Sequence, residues 1–252
     1  MTGPAMVVVL IPVLDEARNI GGVVRGVHAV LEGAGEPCHL LVIDDGSRDG
    51  TGTVLRELAT AHPLSVETFA ENRGIGPVLR VGLPAALARS GDDGVVVVME
   101  GDGSNDPAVL PAMLHRVRDG ADVVIASRFT AGAGMPGFPL LRRLLSWSLL
   151  CLLHGAGMSR AVTDGSIFYR AYRGAALRRA LEVGARRTTP SPGFAANTEL
   201  LLDLLDLGAR VAEVPLTYRY DVKRSGSKIR VGPETRDQLK LVARVWRRSH
   251  AS

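Results

Sequence analysis

Short blocks of consecutive apolar residues alternate with stretches in which apolar positions recur every three or four residues, and this rhythm organises the first half of the chain. Met6 to Val13, Cys38 to Ile43, Leu64 to Ala70, Val95 to Met99 and Ala121 to Ser127 have strand length and are rich in Val, Leu and Ile. Most lack polar alternation, which marks strands buried on both faces, as in a parallel sheet covered by helices. The intervening stretches, Asp15 to Leu31, Gly50 to Ala61, Ile75 to Ala88 and Asp106 to Arg118, read as helices. Repeated strand–helix units of this length predict an α/β fold with a mostly parallel, doubly wound sheet flanked by helices.

After Arg128 the rhythm changes. A Gly/Pro-rich loop, Thr130 to Pro139, leads to an amphipathic segment, Leu140 to Leu153, and Ser166 to Tyr172 reads as a strand. Asn197 to Leu207 is an apolar helix ended by Gly208, Arg210 to Tyr218 a last strand, and Asp221 to Arg230 a polar run before a helix from Pro233 to Arg248. No Pro- or Ser-rich linker divides the 252 residues, so one domain is expected. The segment around Leu140 to Leu153 carries only about ten apolar residues after Arg143, against the roughly 20 that span a bilayer.

The apolar share of 46% and charged share of 22% are those of an ordinary globular protein. The net charge of +4 changes the picture, because the arginines gather after Arg128 while most acids of the strand-end motifs precede it. Such asymmetry suits an anionic partner, a phosphate group or an acidic membrane surface. Nucleic acid is not expected, since no basic stretch is interleaved with stacking aromatics. Cys38 and Cys151 lie far apart without CxxC spacing and read as buried small apolar residues, not as a disulfide or zinc site, so no disulfide-linked partner is expected. The N-terminus meets acid too early for a signal peptide.

Candidate chemistry sits where strands end. The run Val95 to Met99 passes straight into Glu100, Gly101 and Asp102, with Ser104 close behind. In open α/β sheets ligands bind outside the carboxyl ends of the strands, and two carboxylates one residue apart can turn toward one hard cation, Mg²⁺ or Mn²⁺. A solvated strand end followed by a helix start at Asp106 is the plainer alternative. The second strand ends in VIDDGSRDGT, where Asp44 and Asp45 are placed to accept hydrogen bonds from a ribose or base, or else merely to build a capped turn. No GxGxxG follows the first strand, which disfavours a nicotinamide-binding fold.

IPVLDEARNI, VIDDGSRDGT, ENRGIG, MEGDGSNDP, ASRF, RRLLS, TDGSIFYRAYR, EVPLTY and SGSKIR occur in that order between about Val7 and Arg230. This ordered set resembles the family 2 inverting glycosyltransferases of GT-A fold, and among them the polyprenyl (dolichyl) phosphate mannose synthases. The resemblance implies a nucleotide-sugar half over residues 1–128, an acceptor half over 129–230, and a C-terminal helix over 231–252. It implies that Pro12, Leu14, Glu16, Asp44, Asp45, Glu100 and Gly101 surround the donor. Glu100, Asp102 and Ser104 fall on the metal positions, with Asp102, Arg128 and Lys228 carrying catalysis. Arg128, Arg142, Ser146 and Asp164 fall on the acceptor side. An anionic acceptor phosphate needs positioning by arginine and no base.

This chain departs from the pattern in several places. The usual Asp-Ala-Asp triplet is Glu100-Gly101-Asp102, one methylene longer, Leu14 replaces an aromatic beside the base, and Val222 replaces an arginine. The function expected from the resemblance is metal-dependent transfer of a hexose, mannose from GDP-mannose, to a polyprenyl phosphate, with peripheral contact at the cytoplasmic membrane face. Two alternatives stand beside it: a soluble acceptor, possibly with a UDP-sugar donor, for which Asp164 or Glu199 would be the base, and a nucleotide-sugar-binding subunit without turnover.

Overall fold

The apolar runs become the strands of one sheet. A computed structural model describes residues 5–186, 193–222 and 231–249. Among these residues the sheet has seven strands: β1 (Val7–Val13), β2 (Cys38–Asp44), β3 (Leu64–Thr68), β4 (Val95–Val98), β5 (Val123–Ser127), β6 (Arg170–Arg173) and β7 (Val211–Pro215), in the order β3-β2-β1-β4-β6-β5-β7. Helices α1 (Ile20–Gly33), α2 (Thr51–Ala59), α3 (Ile75–Ser90), α4 (Leu110–Arg118), α5 (Leu140–Gly155), α6 (Gly174–Ala185), α7 (Ala195–Asp206) and α8 (Val231–Ser249) pack around it. The residues Val7 to Ile11, Leu40 to Ile43, Val95 to Val98 and Val123 to Ala126 are buried throughout, which accounts for their missing polar alternation.

Strand order reverses at β1, which has β2 on one side and β4 on the other. Such a switch point opens a crevice beyond the carboxyl ends of the two diverging strands. Here the β1–β4 ladder stops at Leu10 and Val98, while the β1–β2 ladder continues to Val13 and Asp44. Leu10 directs its carbonyl at Met99, so two residues on Pro12 also faces the β4 side, past the end of that ladder. A proline inside a central strand therefore gives up no sheet hydrogen bond there.

Four elements differ from the pattern-based expectation. Residues 15–19 do not begin α1, because their backbone amides bond to the neighbouring loop: Asp15 N–H donates to Ser47 Oγ at 2.8 Å, Glu16 N–H to Thr51 Oγ1 at 2.8 Å and Ala17 N–H to Asp49 Oδ2 at 3.0 Å. The strand expected over Ser166 to Tyr172 is shortened to Arg170–Arg173 and runs antiparallel to both β4 and β5. Helix α6 was not anticipated, since Gly174, Ala176, Leu177 and Ala180, which it buries, include three small residues and so leave a faint apolar stripe. In α5 only Leu153 is buried, and Cys151 is exposed on it, which corrects the expectation that both cysteines are interior; Cys38 is half-buried and both are free. Among the described residues no helix is long and apolar enough to cross a membrane.

Candidate active site

The parallel strands deliver their carboxyl ends to one edge, and the loops there form two adjoining regions. On the first, the loops after β1 and β2 are stitched together. Besides the three amide bonds above, Arg48 N–H donates to Asp15 Oδ1 at 2.8 Å, and Asp15 takes a positive φ of 48° to make these contacts. Glu16 is buried and accepts from Asn19 Nδ2 at 2.7 Å. Asp44 is buried, with Oδ1 accepting from Ser47 N–H at 2.9 Å. Asp45 points elsewhere: its two oxygens accept from Arg73 N–H at 2.7 Å and Gly74 N–H at 2.8 Å. Burial pushes the Asp45 carboxyl up from its usual value, against the pull of those two amides. Asp45 thus organises the loop before α3, whereas Asp44 ends β2 in register with Val13, whose neighbours Pro12 and Leu14 are half-buried.

Beyond β4 the chain turns sharply. A Cβ on Gly101 would lie 2.5 Å from Val13 Cγ1, so only glycine allows the turn to press against the end of β1. Asp102 is buried and its Oδ1 accepts from the backbone N–H of Ser104 at 3.0 Å and from the Ser104 hydroxyl. Glu100 Oε2 accepts at 3.4 Å from Asn105 Nδ2 and at 3.4 Å from the Tyr218 hydroxyl. Among the described residues no group of three or more His, Cys, Asp and Glu side chains is gathered to hold a metal. Two carboxylates on one turn nevertheless fit Mg²⁺ or Mn²⁺, which bind through one or two carboxylates and take remaining ligands from substrate phosphate and water. Asn105 Oδ1, buried beside Glu100 without a hydrogen-bond partner, adds another hard oxygen of the type such ions accept. Ser104 is wholly buried, and its hydroxyl serves Asp102.

The second region lies at the ends of β5 and β7. Arg128 is 8% exposed and meets Asp164, 1% exposed, in a bidentate pair: Nε donates to Oδ2 at 2.7 Å and Nη2 to Oδ1 at 2.8 Å. Nη2 also donates to Ser166 Oγ at 2.8 Å, so the guanidinium plane is fixed. Burial alone would raise the Asp164 carboxyl, but the Arg128 charge and hydrogen bonds hold it below the usual carboxylate range. A carboxylate so engaged does not serve as a general base. Asp164 reaches this edge because antiparallel β6 enters the sheet there, and its loop is held by Thr163 N–H, which donates to Glu213 Oε1 at 2.7 Å.

A cavity of about 250 Å³ joins Glu100 to Arg128, Arg142, Ser146 and Ser166. Arg142 and Ser146, one turn apart on α5, face it together with Leu145, Leu149 and Leu152, while Phe138, Tyr218 and Leu239 supply further apolar wall. The outer side of α5 leaves Leu140, Leu141, Leu144 and Trp147 between 52% and 69% exposed. Glu199 lies outside this cavity, ion-paired with Arg244 of α8. Lys228 lies outside the described residues.

Two residues of this region lie inside the motifs TDGSIFYRAYR and EVPLTY but were given no role there. Arg170 is fully buried and donates to Asn197 O at 2.7 Å and Gly165 O at 2.8 Å, bracing the Asp164 loop from behind. Tyr218 closes the EVPLTY motif and follows the carboxyl end of β7, parallel to β5, and those two features together could have marked it.

A model of glycosyl transferase family 2 matches residues 8–181. The chain belongs to that family. This glycosyltransferase is 35% identical over 231 residues to the polyprenol monophosphomannose synthase of Mycolicibacterium smegmatis, a match covering 88% of this chain and 82% of that protein. It is also 35% identical over 180 residues to the undecaprenyl-phosphate mannosyltransferase of Micrococcus luteus, covering 71% of each. Its fold is the GT-A fold of family 2 transferases: glucosyl-3-phosphoglycerate synthase from Mycobacterium tuberculosis, crystallised with Mn²⁺ and UDP-glucose, superposes with a TM-score of 0.68 at 22% identity, covering 96% of this chain and 79% of that one.

Proposed function

We propose that this glycosyltransferase moves mannose from GDP-mannose to a polyprenyl phosphate at a membrane surface, with inversion at the anomeric carbon to give a β-linked product. The observation that carries the reading is one cavity lined by the Glu100 carboxylate, by the arginines Arg128 and Arg142, and by the apolar side chains of Phe138, Leu145, Leu149 and Leu152. A soluble sugar acceptor has no use for such walls, whereas a prenyl phosphate needs both cations and hydrocarbon contact. Relatives named for polyprenol and undecaprenyl phosphate substrates point the same way.

Asp44 and the loops after β1 and β2 would hold the nucleoside, with Glu100 and Asp102 presenting their oxygens to a divalent ion. When bound, that ion neutralises charge developing on the departing diphosphate. Lys228, by its resemblance to the SK lysine of the family, would add a second positive charge to the same group. Arg128, fixed by Asp164, and Arg142 would grip the acceptor phosphate and aim one of its oxygens at the sugar. That oxygen is already anionic, so orientation replaces proton removal as the chain's contribution. The exposed Leu140, Leu141, Leu144 and Trp147, with Arg142 and Arg143 on the same helix, would lie in the headgroup region of an acidic bilayer.

Radiolabelled GDP-mannose, a polyprenyl phosphate and Mg²⁺ or Mn²⁺ should yield label that partitions into chloroform. Absence of lipid-soluble label with every prenyl phosphate tried, or full activity of Arg142→Ala on a water-soluble acceptor, overturns the proposal. A thermal-shift panel of GDP- and UDP-sugars with each metal would identify the donor, because only ligands of the native state raise its stability.

A further inference from the structure

Tyr218 stands where the two regions of the site touch. Its hydroxyl lies 3.4 Å from Glu100 Oε2. The ring of the same residue faces the Arg128 guanidinium, with Arg128 Cζ 5.8 Å from the ring centre, and meets Phe138 edge-on at 5.7 Å. The backbone is clamped on both sides: Tyr218 N–H donates to Gly134 O at 2.8 Å, and the next amide, of Arg219, donates to Ser104 O at 2.8 Å. One side chain, held by its own main chain, therefore contacts the carboxylate end of the cavity with its polar tip and the cationic end with its face.

That placement has an electrostatic consequence. Glu100 shares the cavity with Arg128, so its negative charge opposes entry of a second anion into the same space. A cation held by Glu100 removes that opposition. The hydroxyl keeps the long Glu100 side chain at the junction, where both ligands feel its charge.

We propose that Tyr218 is a positioning residue that couples the two halves of the site, so that a divalent cation at Glu100 strengthens binding of an anionic phosphate at Arg128 and the reverse. The inference rests on the metal and acceptor assignments proposed above. Coupling of this kind is reciprocal and typically worth about 5- to 150-fold in affinity.

The test measures Mn²⁺ uptake, with GDP present, by the electron paramagnetic resonance of free Mn²⁺, and farnesyl phosphate binding by calorimetry with and without Mn²⁺ and GDP. Wild-type protein should bind farnesyl phosphate about fivefold or more tightly when Mn²⁺ and GDP are present. Tyr218→Phe keeps the ring and should weaken Mn²⁺ binding several-fold and bring the coupling factor close to one, with metal-free farnesyl phosphate affinity rising as Glu100 is released from the junction. Glu100→Asp, which withdraws the carboxylate by one methylene, should reproduce the lost coupling, and it serves as the second variant if Tyr218→Phe folds poorly by circular dichroism. Wild-type Mn²⁺ affinity and coupling in both variants overturns the inference while leaving the functional reading intact. Wild-type protein that takes up neither Mn²⁺ nor farnesyl phosphate overturns the reading itself and the inference with it.

Discussion

Removing the charge of Arg128 tests the acceptor side most directly, because its partner Asp164 is almost fully buried and accepts from it at 2.7 and 2.8 Å. Arg128→Met leaves a carboxylate in a dry site, and Asp164→Asn leaves a guanidinium there. Breaking a buried pair from one side costs about 3–5 kcal/mol, which in a domain of this size lowers Tm by on the order of 10 °C. The double variant Arg128→Met/Asp164→Asn should recover most of that loss. It has no buried charge at the pair, and the amide oxygen still accepts from Ile167 N–H, now 3.2 Å from Asp164 Oδ1. With each single variant losing about 3–5 kcal/mol and the double variant little, the cycle should show a coupling of at least about 5 kcal/mol by chemical denaturation. Activity should not recover: all three variants should lose about 100-fold or more in kcat/KM for the prenyl phosphate, equivalent to roughly 2.7 kcal/mol. The pH dependence carries a sign. In the wild type the folded Asp164 carboxyl lies below its unfolded value of about 3.9, so its contribution is complete above about pH 4 and fades only as pH falls through the lower folded value. In Arg128→Met burial raises the folded value instead, so the variant should be relatively more stable in acid and lose stability as pH rises through that raised value. Additive losses in the double variant, or an Arg128→Met enzyme with wild-type turnover, would refute the argument.

Three further expectations follow from particular contacts. Gly101→Ala sets a methyl 2.5 Å from Val13 Cγ1 and should destabilise by about 1–3 kcal/mol, with donor affinity falling as the end of β4 moves from β1, measurable by denaturation and by a GDP-mannose thermal shift. Chelation with EDTA should abolish transfer and Mn²⁺ or Mg²⁺ restore it, with Glu100→Gln and Asp102→Asn needing more metal; undiminished transfer in EDTA would remove the ion from the mechanism. Leu144→Ser with Trp147→Ser, both exposed, should leave the unfolding free energy within about 1 kcal/mol of wild type while weakening sedimentation with anionic phospholipid vesicles several-fold, an unchanged sedimented fraction being the contrary result.

How much of this was legible beforehand can be judged residue by residue. The five parallel strands before Arg128, four of them buried on both faces, and Glu100, Asp102, Asp44 and Arg128 at their ends were readable, because apolar runs and acid or base at a strand end are local properties of the chain. The order of the motifs was likewise enough to place the chain among the family 2 transferases. Other features depended on residues distant in sequence. Asp15 to Asn19 look helical until Ser47, Asp49 and Thr51 offer their amides better partners. Asp45 looks equivalent to Asp44 until Arg73 and Gly74 claim both its oxygens. The antiparallel sense of β6, which brings Asp164 to Arg128, and the contact of Tyr218 with Glu100 across 118 positions are set by packing. Pattern along the chain determined what was buried and where charge would gather; only the tertiary structure decided which charges meet, because buried charges must find partners and those partners lie far away in sequence.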